Sequence, residues 1–261
     1  MVTDLGKAAK RSPLKGPPPR VPGQSVDEEI HRFRDEDITP LVVMGIFCIF
    51  FAIVEWIRWL FDIRPQPIFI SILALIAATY CVRKALSHRK RIRSILQGRD
   101  GEREVGALLE DLRQSGCSII HDLVGDGFNI DHIVISTRGI FCIETKTLSK
   151  PPGDAKATYD GERLIIPGLG DYSQAVHQAR ASASSLQKLC LSLTGQNYSI
   201  RPVVCLPGWY ISSDIPGWRY ATWVFNPAQV TQFIRGAPES ICSTDVHALN
   251  HHLRQHIANQ S

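Results

Sequence analysis

A pair of apolar segments joined by a tight turn, between Gly127 and Lys150, most constrains how this chain can fold. Residues 130–135 and 140–143 are rich in β-branched side chains, and residues 136–139 between them are turn formers, which predicts a β-hairpin. Three charged residues nevertheless interrupt or end the apolar segments, namely Asp131, Glu144 and Lys146. Because ionised groups are costly to bury unless they are paired or bind a metal, we expect a functional site here.

The pairing register of this hairpin decides which charged side chains meet. Side chains alternate along a strand, so Glu144 and Lys146 share one face and Thr145 takes the other. A four-residue loop over 136–139 places Asp131 directly opposite Glu144, with Cβ atoms roughly 4.5–5.5 Å apart. Two carboxylates that close repel each other unless a divalent cation lies between them. A one-residue slip would instead move Asp131 to the other face of the sheet.

The order of the charged residues along the chain resembles that of a known family. The set, in chain order, is Gly101-Glu102, Ile130-Asp131-His132, Ile143-Glu144-Thr145-Lys146 and Gln174. It resembles the nuclease-related domain (NERD) of the PD-(D/E)XK nuclease superfamily, with Ile130 at the position of the Pro in the superfamily's name. The resemblance runs from Gly101 to the C-terminus. It implies an α/β, restriction-endonuclease-like core, in which a mixed sheet is flanked by helices.

The resemblance also implies a chemistry, namely Mg²⁺- or Mn²⁺-dependent hydrolysis of phosphodiester bonds in nucleic acid, with DNA as the expected substrate. Asp131, Glu144 and the backbone carbonyl of Thr145 supply hard oxygen ligands for such a cation. Glu102 would reach a second cation or its water shell. Lys146 would orient the attacking water and stabilise developing charge, or act as a general base if a nearby cation lowers its pKa. The implied catalytic residues are Glu102, Asp131, Glu144, Lys146 and Gln174, where Gln174 would orient a phosphate or the water.

The acid expected from outside the hairpin lies on a predicted helix over 102–114. Its apolar face comprises Val105, Leu108, Leu109 and Leu112. Glu102 and Glu104 lie at opposite edges of that face, so only one of them can point toward the strands. The resemblance selects Glu102, whereas either acid alone is typical of the first turn of a helix, where the dipole stabilises negative charge.

The remaining elements alternate between strands and helices. We predict a strand over 117–123, a hairpin over 155–159 and 163–166 that lengthens the sheet, a helix over 172–193, strands over 201–206 and 221–225, and two C-terminal helices. Five aromatic residues could stack on bases, although core and loop packing is expected for most of them: Trp209, Tyr210, Trp218, Tyr220 and Trp223.

Two apolar runs precede this domain. Residues 41–61 are long enough to cross a bilayer, and Glu55 and Arg58 within them can form an ion pair three residues apart on a helix. Residues 67–82 form a shorter second run, which a bilayer can accommodate, and residues 62–66 connect the two tightly. We therefore expect a transmembrane helical hairpin; the alternative is a pair of buried core helices.

The flanking charges predict the orientation of the hairpin. Six basic residues and no acidic one follow the second run within a short distance, namely Arg83, Lys84, Arg89, Lys90, Arg91 and Arg93, whereas the connection carries only Arg64. This excess predicts a two-pass protein of the inner (cytoplasmic) membrane with both termini in the cytoplasm. The basic residues can contact anionic lipids of the bilayer or a nucleic acid.

The chain therefore divides into four parts. These are a disordered tail over 1–39, which is rich in Pro and poor in apolar residues, the hairpin over 40–83, a basic juxtamembrane linker helix over 84–100, and the nuclease-related domain over 101–261. The seven scattered cysteines include no C-x-x-C pair, which indicates reduced thiols rather than a zinc site. A non-catalytic, membrane-tethered nucleic-acid-binding or sensor module on the same fold is the alternative function, and the sequence does not indicate an oligomeric state.

Overall fold

The computed structural model describes residues 20–33, 35–36, 39–61, 67–150 and 156–260. The helices are α1 Gln24–Phe33, α2 Thr39–Leu60, α3 Pro67–Glu110, α4 Gln174–Thr194, α5 Pro227–Gly236 and α6 Ser243–Gln260. The strands are β1 Ser118–Gly125, β2 Phe128–Ser136, β3 Gly139–Thr145, β4 Lys156–Tyr159, β5 Leu164–Ile166, β6 Gly170–Asp171, β7 Ile200–Cys205, β8 Tyr210–Ser212 and β9 Trp223–Phe225. Two 3₁₀ turns cover Asp111–Ser115 and Gly217–Arg219.

A five-stranded mixed sheet in the order β1-β2-β3-β7-β9 forms the centre of the domain. Strands β1, β2 and β3 are antiparallel, whereas β3, β7 and β9 run parallel. The end of α3 and α5 pack on one face of this sheet, and α4 and α6 pack on the other. The helices cover the sheet because both of its faces carry apolar side chains, whose burial stabilises the fold. The fold is thus α/β, with mixed sheets flanked by helices.

A second sheet, in the order β6-β5-β4-β8, stands beside the first. The prediction that the β4–β5 hairpin lengthens the main sheet is wrong. Strand β4 instead pairs in parallel with β8, with Ala157 opposite Ile211, and the apolar residues of this sheet bury against Trp209 and the first turns of α4. Ala155, at the predicted start of the hairpin, lies outside the described residues.

Helix α3 is continuous over Pro67–Glu110, whereas the sequence analysis placed a boundary between a linker helix and a helix beginning at Glu102. The segment contains no proline after its first residue, and Gly98 and Gly101 weaken a helix without ending it. The 3₁₀ turn that follows ends at Gly116, whose positive φ of 79° suits glycine. The side chains of Arg89, Lys90 and Arg91 lie outside the described part of the chain.

Among the described residues, α2 is the one helix long and apolar enough to cross a membrane, with a mean hydropathy of 2.4. It packs along the first part of α3, where Trp56 donates a hydrogen bond to the Ser71 hydroxyl, and its Glu55 and Arg58 form the expected ion pair at 2.9 Å. Apolar side chains of both runs are largely exposed, unlike those of buried core helices. The connection over 62–66 lies outside the described residues.

The region preceding α2 also differs from its prediction. Residues 20–33 pack against the domain and include α1, although composition alone assigned them to a disordered tail. Residues 1–19 lie outside the described part of the chain.

Candidate active site

The hairpin of β2 and β3 has the register that the sequence predicted. Its observed pairs include Ile135 with Ile140 and His132 with Ile143. Continuing this register by one residue places Asp131 opposite Glu144, on one face of the sheet. The turn between the strands is formed by Thr137 and Arg138. The two acids therefore come together where β3 ends, through local strand pairing alone.

Hydrogen bonds hold both carboxylates in place. Asp131 Oδ2 accepts a hydrogen bond of 2.7 Å from the backbone N–H of Thr145. Glu144 is 3% exposed, and its Oε1 accepts from Gln178 Nε2 at 2.6 Å and lies 2.8 Å from Lys146 Nζ. The alternation of β3 thus places Glu144 and Lys146 side by side, as the sequence predicted.

Glu102 approaches this pair from α3, because that helix passes very close to the chain leaving β3. A Cβ atom at Gly101 would lie 1.7 Å from the hydroxyl oxygen of Thr147, so a glycine is required for the approach. The half-buried Glu102 side chain makes no hydrogen bond or ion pair among the described contacts. Glu104 is exposed, which agrees with the selection of Glu102.

The carboxylates interact electrostatically. Burial, followed by repulsion from Glu144 and Glu102, raises the pKa of Asp131 well above its usual range, although the Thr145 N–H and Lys146 oppose this. Burial, followed by repulsion from Asp122 and Glu144, raises the pKa of Glu102 to about 7. The site therefore carries more negative charge than its own cations neutralise, which is the electrostatic condition that a bound cation relieves.

Lys146 remains an ammonium group in this environment. Burial on its own would lower the pKa of Lys146, but the adjacent Glu144 carboxylate and then Asp131 raise it above its ordinary value. The protonated side chain is thus available to donate hydrogen bonds and to stabilise negative charge. This protonated state suits orientation of water and charge stabilisation, whereas the general-base role depends on a cation near Lys146.

Asp122 is a further acid of the site and lies outside the set of residues that the resemblance implied. Its side chain is buried, with 2% exposed. Its neighbours in β1 pair with the neighbours of Asp131 in β2, so the two acids lie level on adjacent strands. Asp122 has a φ of 53°, a left-handed conformation that Asp tolerates better than most residues. The signal in the sequence that could have identified Asp122 is a carboxylate between the apolar residues of the strand predicted over 117–123.

The N-terminal segment, residues 20–33, packs beside these acids. Arg20 Nε donates to Asp122 Oδ2 at 2.8 Å, and the N–H of Ser25 donates to the same oxygen at 2.9 Å. The ring of Pro22 lies against Gly106 of α3, where a Cβ would meet it at 2.4 Å. Asp27 forms ion pairs with two arginines of α3, Arg99 and Arg103. A segment expected to be disordered is therefore bound through its charges.

Gln174 does not occupy the position that the resemblance implied. It is exposed at the first residue of α4, and among the described contacts it makes none with the carboxylates. Gln178, one helical turn later, donates to Glu144 instead. Residues four apart share a helix face, so Gln178 lies on the face of α4 that carries Gln174, one turn further along the helix.

A chain of three buried or half-buried groups lies on the opposite face of β1 and β2. His132 is fully buried, and its Nδ1 lies 2.9 Å from Nδ1 of His121, whose Nε2 lies 2.7 Å from Glu110 Oε1. Burial, and then the proximity of His121, lowers the pKa of His132 to about 3. His132 is thus a neutral structural histidine that points away from Asp131, as the alternation predicted.

The donor atoms of the site suit a small hard cation. Within the described residues, no group of three or more histidine, cysteine, aspartate or glutamate side chains is arranged to hold a metal ion. Magnesium, however, commonly takes one or two carboxylates and several waters. Among the described contacts, the polar contacts of the two carboxylates go to Asp131 Oδ2 and Glu144 Oε1. The other oxygen of each carboxylate, Asp131 Oδ1 and Glu144 Oε2, is therefore available to coordinate a cation. The buried hydroxyl of Thr145 has no hydrogen-bond partner in the described structure.

Comparison with known proteins gives a family-model match to part of the chain. No curated protein shows significant similarity to the chain. The solved structure of SfsA from Pyrococcus furiosus in complex with Ca²⁺ is similar at 19% identity with a TM-score of 0.23, over 46% of this chain and 46% of that one. This similarity spans less than half of SfsA and does not by itself identify a fold. Residues 97–207, which include every acid of the site together with Lys146 and Gln178, match the family model of the nuclease-related domain.

Proposed function

We propose that this protein is a metal-dependent nuclease that hydrolyses phosphodiester bonds of DNA. The observation that carries the proposal is the convergence of Asp131, Glu144 and Lys146 at the end of β3, within the region that matches the nuclease-related domain. A pair of carboxylates with an adjacent ammonium group is suited to a reaction in which negative charge accumulates on a phosphate.

Asp131 and Glu144 are the residues that would hold a Mg²⁺ or Mn²⁺ ion, together with the backbone carbonyl of Thr145. The raised pKa of Asp131 supports this assignment, since it arises from burial and then from repulsion by Glu144 and Glu102, which outweigh the Thr145 N–H and Lys146. When bound, such a cation polarises a phosphoryl oxygen and lowers the pKa of a coordinated water. Glu102, which makes no described hydrogen bond, is available to a second cation or to water of the first.

The chain's own groups would position the reactants. Lys146 Nζ, held 2.8 Å from Glu144 Oε1, has two further N–H donors for the attacking water and for a phosphate oxygen. Gln178 fixes Glu144 through its amide at 2.6 Å, so that the carboxylate keeps one orientation. Gln178 thus positions a carboxylate, whereas the role implied for Gln174 is to orient a phosphate or the attacking water.

We also propose that the enzyme acts at a membrane. Helix α2 is long and apolar enough to span a bilayer, and the exposed apolar side chains at the start of α3 support a second, shorter span. Arg83 and Lys84 follow that second run, and the positive-inside rule then favours a two-pass protein of the inner membrane with both termini cytoplasmic. Reconstituted protein with a protease site before α2 and another after α6 would be cleaved from the same side; opposite sides would refute the two-pass arrangement.

The nuclease proposal is tested with the full-length protein purified in detergent. It is incubated with labelled single-stranded, duplex and branched DNA, and with RNA, in Mn²⁺, Mg²⁺ or EDTA. We expect cation-dependent cleavage that falls at least about 100-fold in Lys146→Ala and in Asp131→Asn. Lys188→Ala is the matched control, because Lys188 is an exposed lysine of α4.

The alternative functions give different results in the same assay. Salt-sensitive binding of DNA without cleavage would indicate a nucleic-acid-binding module. The absence of both binding and cleavage would indicate a sensor module. Cleavage of equal rate in Lys146→Ala and the wild type would refute the assigned site, even if the protein is a nuclease.

A further inference from the structure

A cavity, here called the basic cavity, opens at the end of the main sheet that lies opposite the carboxylates of the candidate active site. It has a volume of about 940 Å³ and is lined by the start of β3, by Arg201 at the start of β7, and by the end of α5. Ile140 in its wall and Glu144 in the candidate active site are four residues apart on β3, which corresponds to about 13 Å. The basic cavity is therefore separate from the residues proposed to cut nucleic acid.

Three arginines face this cavity without a carboxylate partner. Arg138 donates to the carbonyl oxygen of Ala237 at 2.6 Å, and Arg201 donates to the carbonyl oxygens of Tyr220 and Ala221, each at 3.1 Å. No ion pair joins Arg138, Arg201 or Arg219 to any described residue, and no Asp or Glu is among the residues that line the cavity. Burial lowers the pKa of the Arg201 guanidinium, without a nearby acid to oppose it.

Aromatic rings hold two of these guanidinium groups in a defined plane. The Arg201 guanidinium carbon lies 5.3 Å from the ring centroid of Trp223, and that of Arg219 lies 5.2 Å from the ring centroid of Trp218. Stacking of this kind fixes the plane of an arginine and leaves its edge N–H groups free to donate. Trp223 is buried, whereas Trp218 is 49% exposed at the cavity mouth.

We propose that the basic cavity binds a nucleotide, with its phosphates on Arg138, Arg201 and Arg219 and its base against Trp218. Arginine matches phosphate oxygens bidentately, and an anion would neutralise three positive charges that the protein leaves unpaired. Stacking of one base on an aromatic side chain contributes roughly 1–3 kcal/mol. The cavity also has the size typical of small-molecule sites. A free nucleotide and the 5′-terminal nucleotide of a strand present the same chemistry.

The test measures binding to the full-length protein in detergent and EDTA, by calorimetry and by tryptophan fluorescence. The probes are ADP, adenosine, pyrophosphate and a 5′-phosphorylated oligothymidylate. We expect ADP or the oligonucleotide to bind at least about 10-fold more tightly than adenosine and pyrophosphate, because only these two present both a phosphate and a base. Binding of ADP identifies a free nucleotide as the source, and binding of the oligonucleotide alone identifies a strand end.

Variants assign the binding to the basic cavity. Arg201→Gln and Arg219→Gln should each weaken the bound probe at least about 10-fold, while Arg163→Gln, at an exposed arginine outside the cavity, should not. The side chain of Arg219 makes no described hydrogen bond, so its substitution keeps the test valid if loss of Arg201 disturbs folding. Binding should persist in Lys146→Ala, which alters the candidate active site instead. The proposal is overturned if neither ADP nor the oligonucleotide binds, or if both arginine variants bind as the wild type does.

Discussion

The raised pKa of Glu102 predicts that removing its charge stabilises the protein. Burial, Asp122 and Glu144 raise this pKa from 4.5 to about 7. At about 1.4 kcal/mol per unit, ionisation of Glu102 in the folded state would cost roughly 3 kcal/mol more than in the unfolded state. Because part of the carboxyl group contacts solvent, we take roughly 2 kcal/mol as the expected penalty.

The sign of the effect follows from proton binding. Below pH 4.5 the carboxyl is protonated in both states, so it has no effect on stability. As the pH rises to about 7 the unfolded chain loses this proton first, so the folded state loses stability over that interval. Above about pH 7.5 the full penalty is present. The Glu102→Gln variant has no titrating group at position 102, so this loss of stability does not occur in it.

The assay compares unfolding of full-length wild-type and Glu102→Gln protein, in detergent and EDTA, between pH 5 and pH 8. We expect the variant to be about 2 kcal/mol more stable at pH 8, with a Tm higher by about 4–8 °C, and nearly unchanged at pH 5. Glu104→Gln, at an exposed glutamate of the same helix, should show no such pH-dependent difference. A Glu102→Gln protein that is less stable than wild type at pH 8 would refute the electrostatic account of the site.

Three further predictions concern cation binding, the N-terminal segment and the approach of α3. Millimolar Mg²⁺ or Mn²⁺ should raise the Tm of the wild type more at pH 8 than at pH 5, and Asp131→Asn should abolish this increase; an equal increase in the variant would locate the cation elsewhere. Arg20→Gln should destabilise the protein by about 3 kcal/mol in urea unfolding, because it leaves the buried carboxylate of Asp122 without its cation, and a loss below about 1 kcal/mol would contradict that dependence. Gly101→Ala should lower both thermal stability and cleavage, because its methyl group would lie 1.7 Å from the Thr147 hydroxyl oxygen. Full activity and stability in this variant would show that α3 need not approach β3 so closely.

The sequence predicted the parts of the site that depend on local pattern. Strand alternation and turn residues were sufficient to bring Asp131 opposite Glu144 and to place Lys146 beside Glu144. Gln174 was selected by the family resemblance, and residues one turn apart, such as Gln174 and Gln178, share a helix face. The choice between Gln174 and Gln178 therefore required the distance between α4 and β3, which no local pattern contains.

The features that the sequence missed depend on contacts between distant residues. Composition assigned residues 20–33 to a disordered tail. This assignment failed because composition contains no information on the contact between Arg20 and Asp122, which are more than 100 positions apart. Asp122 was missed because its position beside Asp131 depends on the pairing of β1 with β2. The second sheet was missed because it depends on parallel pairing of β4 with β8, about 50 residues further along the chain.

The unbroken course of α3 has a mechanical consequence. Its 44 residues correspond to a rod about 66 Å long, with the exposed apolar surface at one end and Glu102 near the other. Each added residue in such a rod turns one end by about 100° against the other. The number of residues between the two ends thus sets the direction in which Glu102 faces relative to the exposed apolar surface. Only insertions close to a whole number of turns, such as about 7 or about 11 residues, would keep that direction.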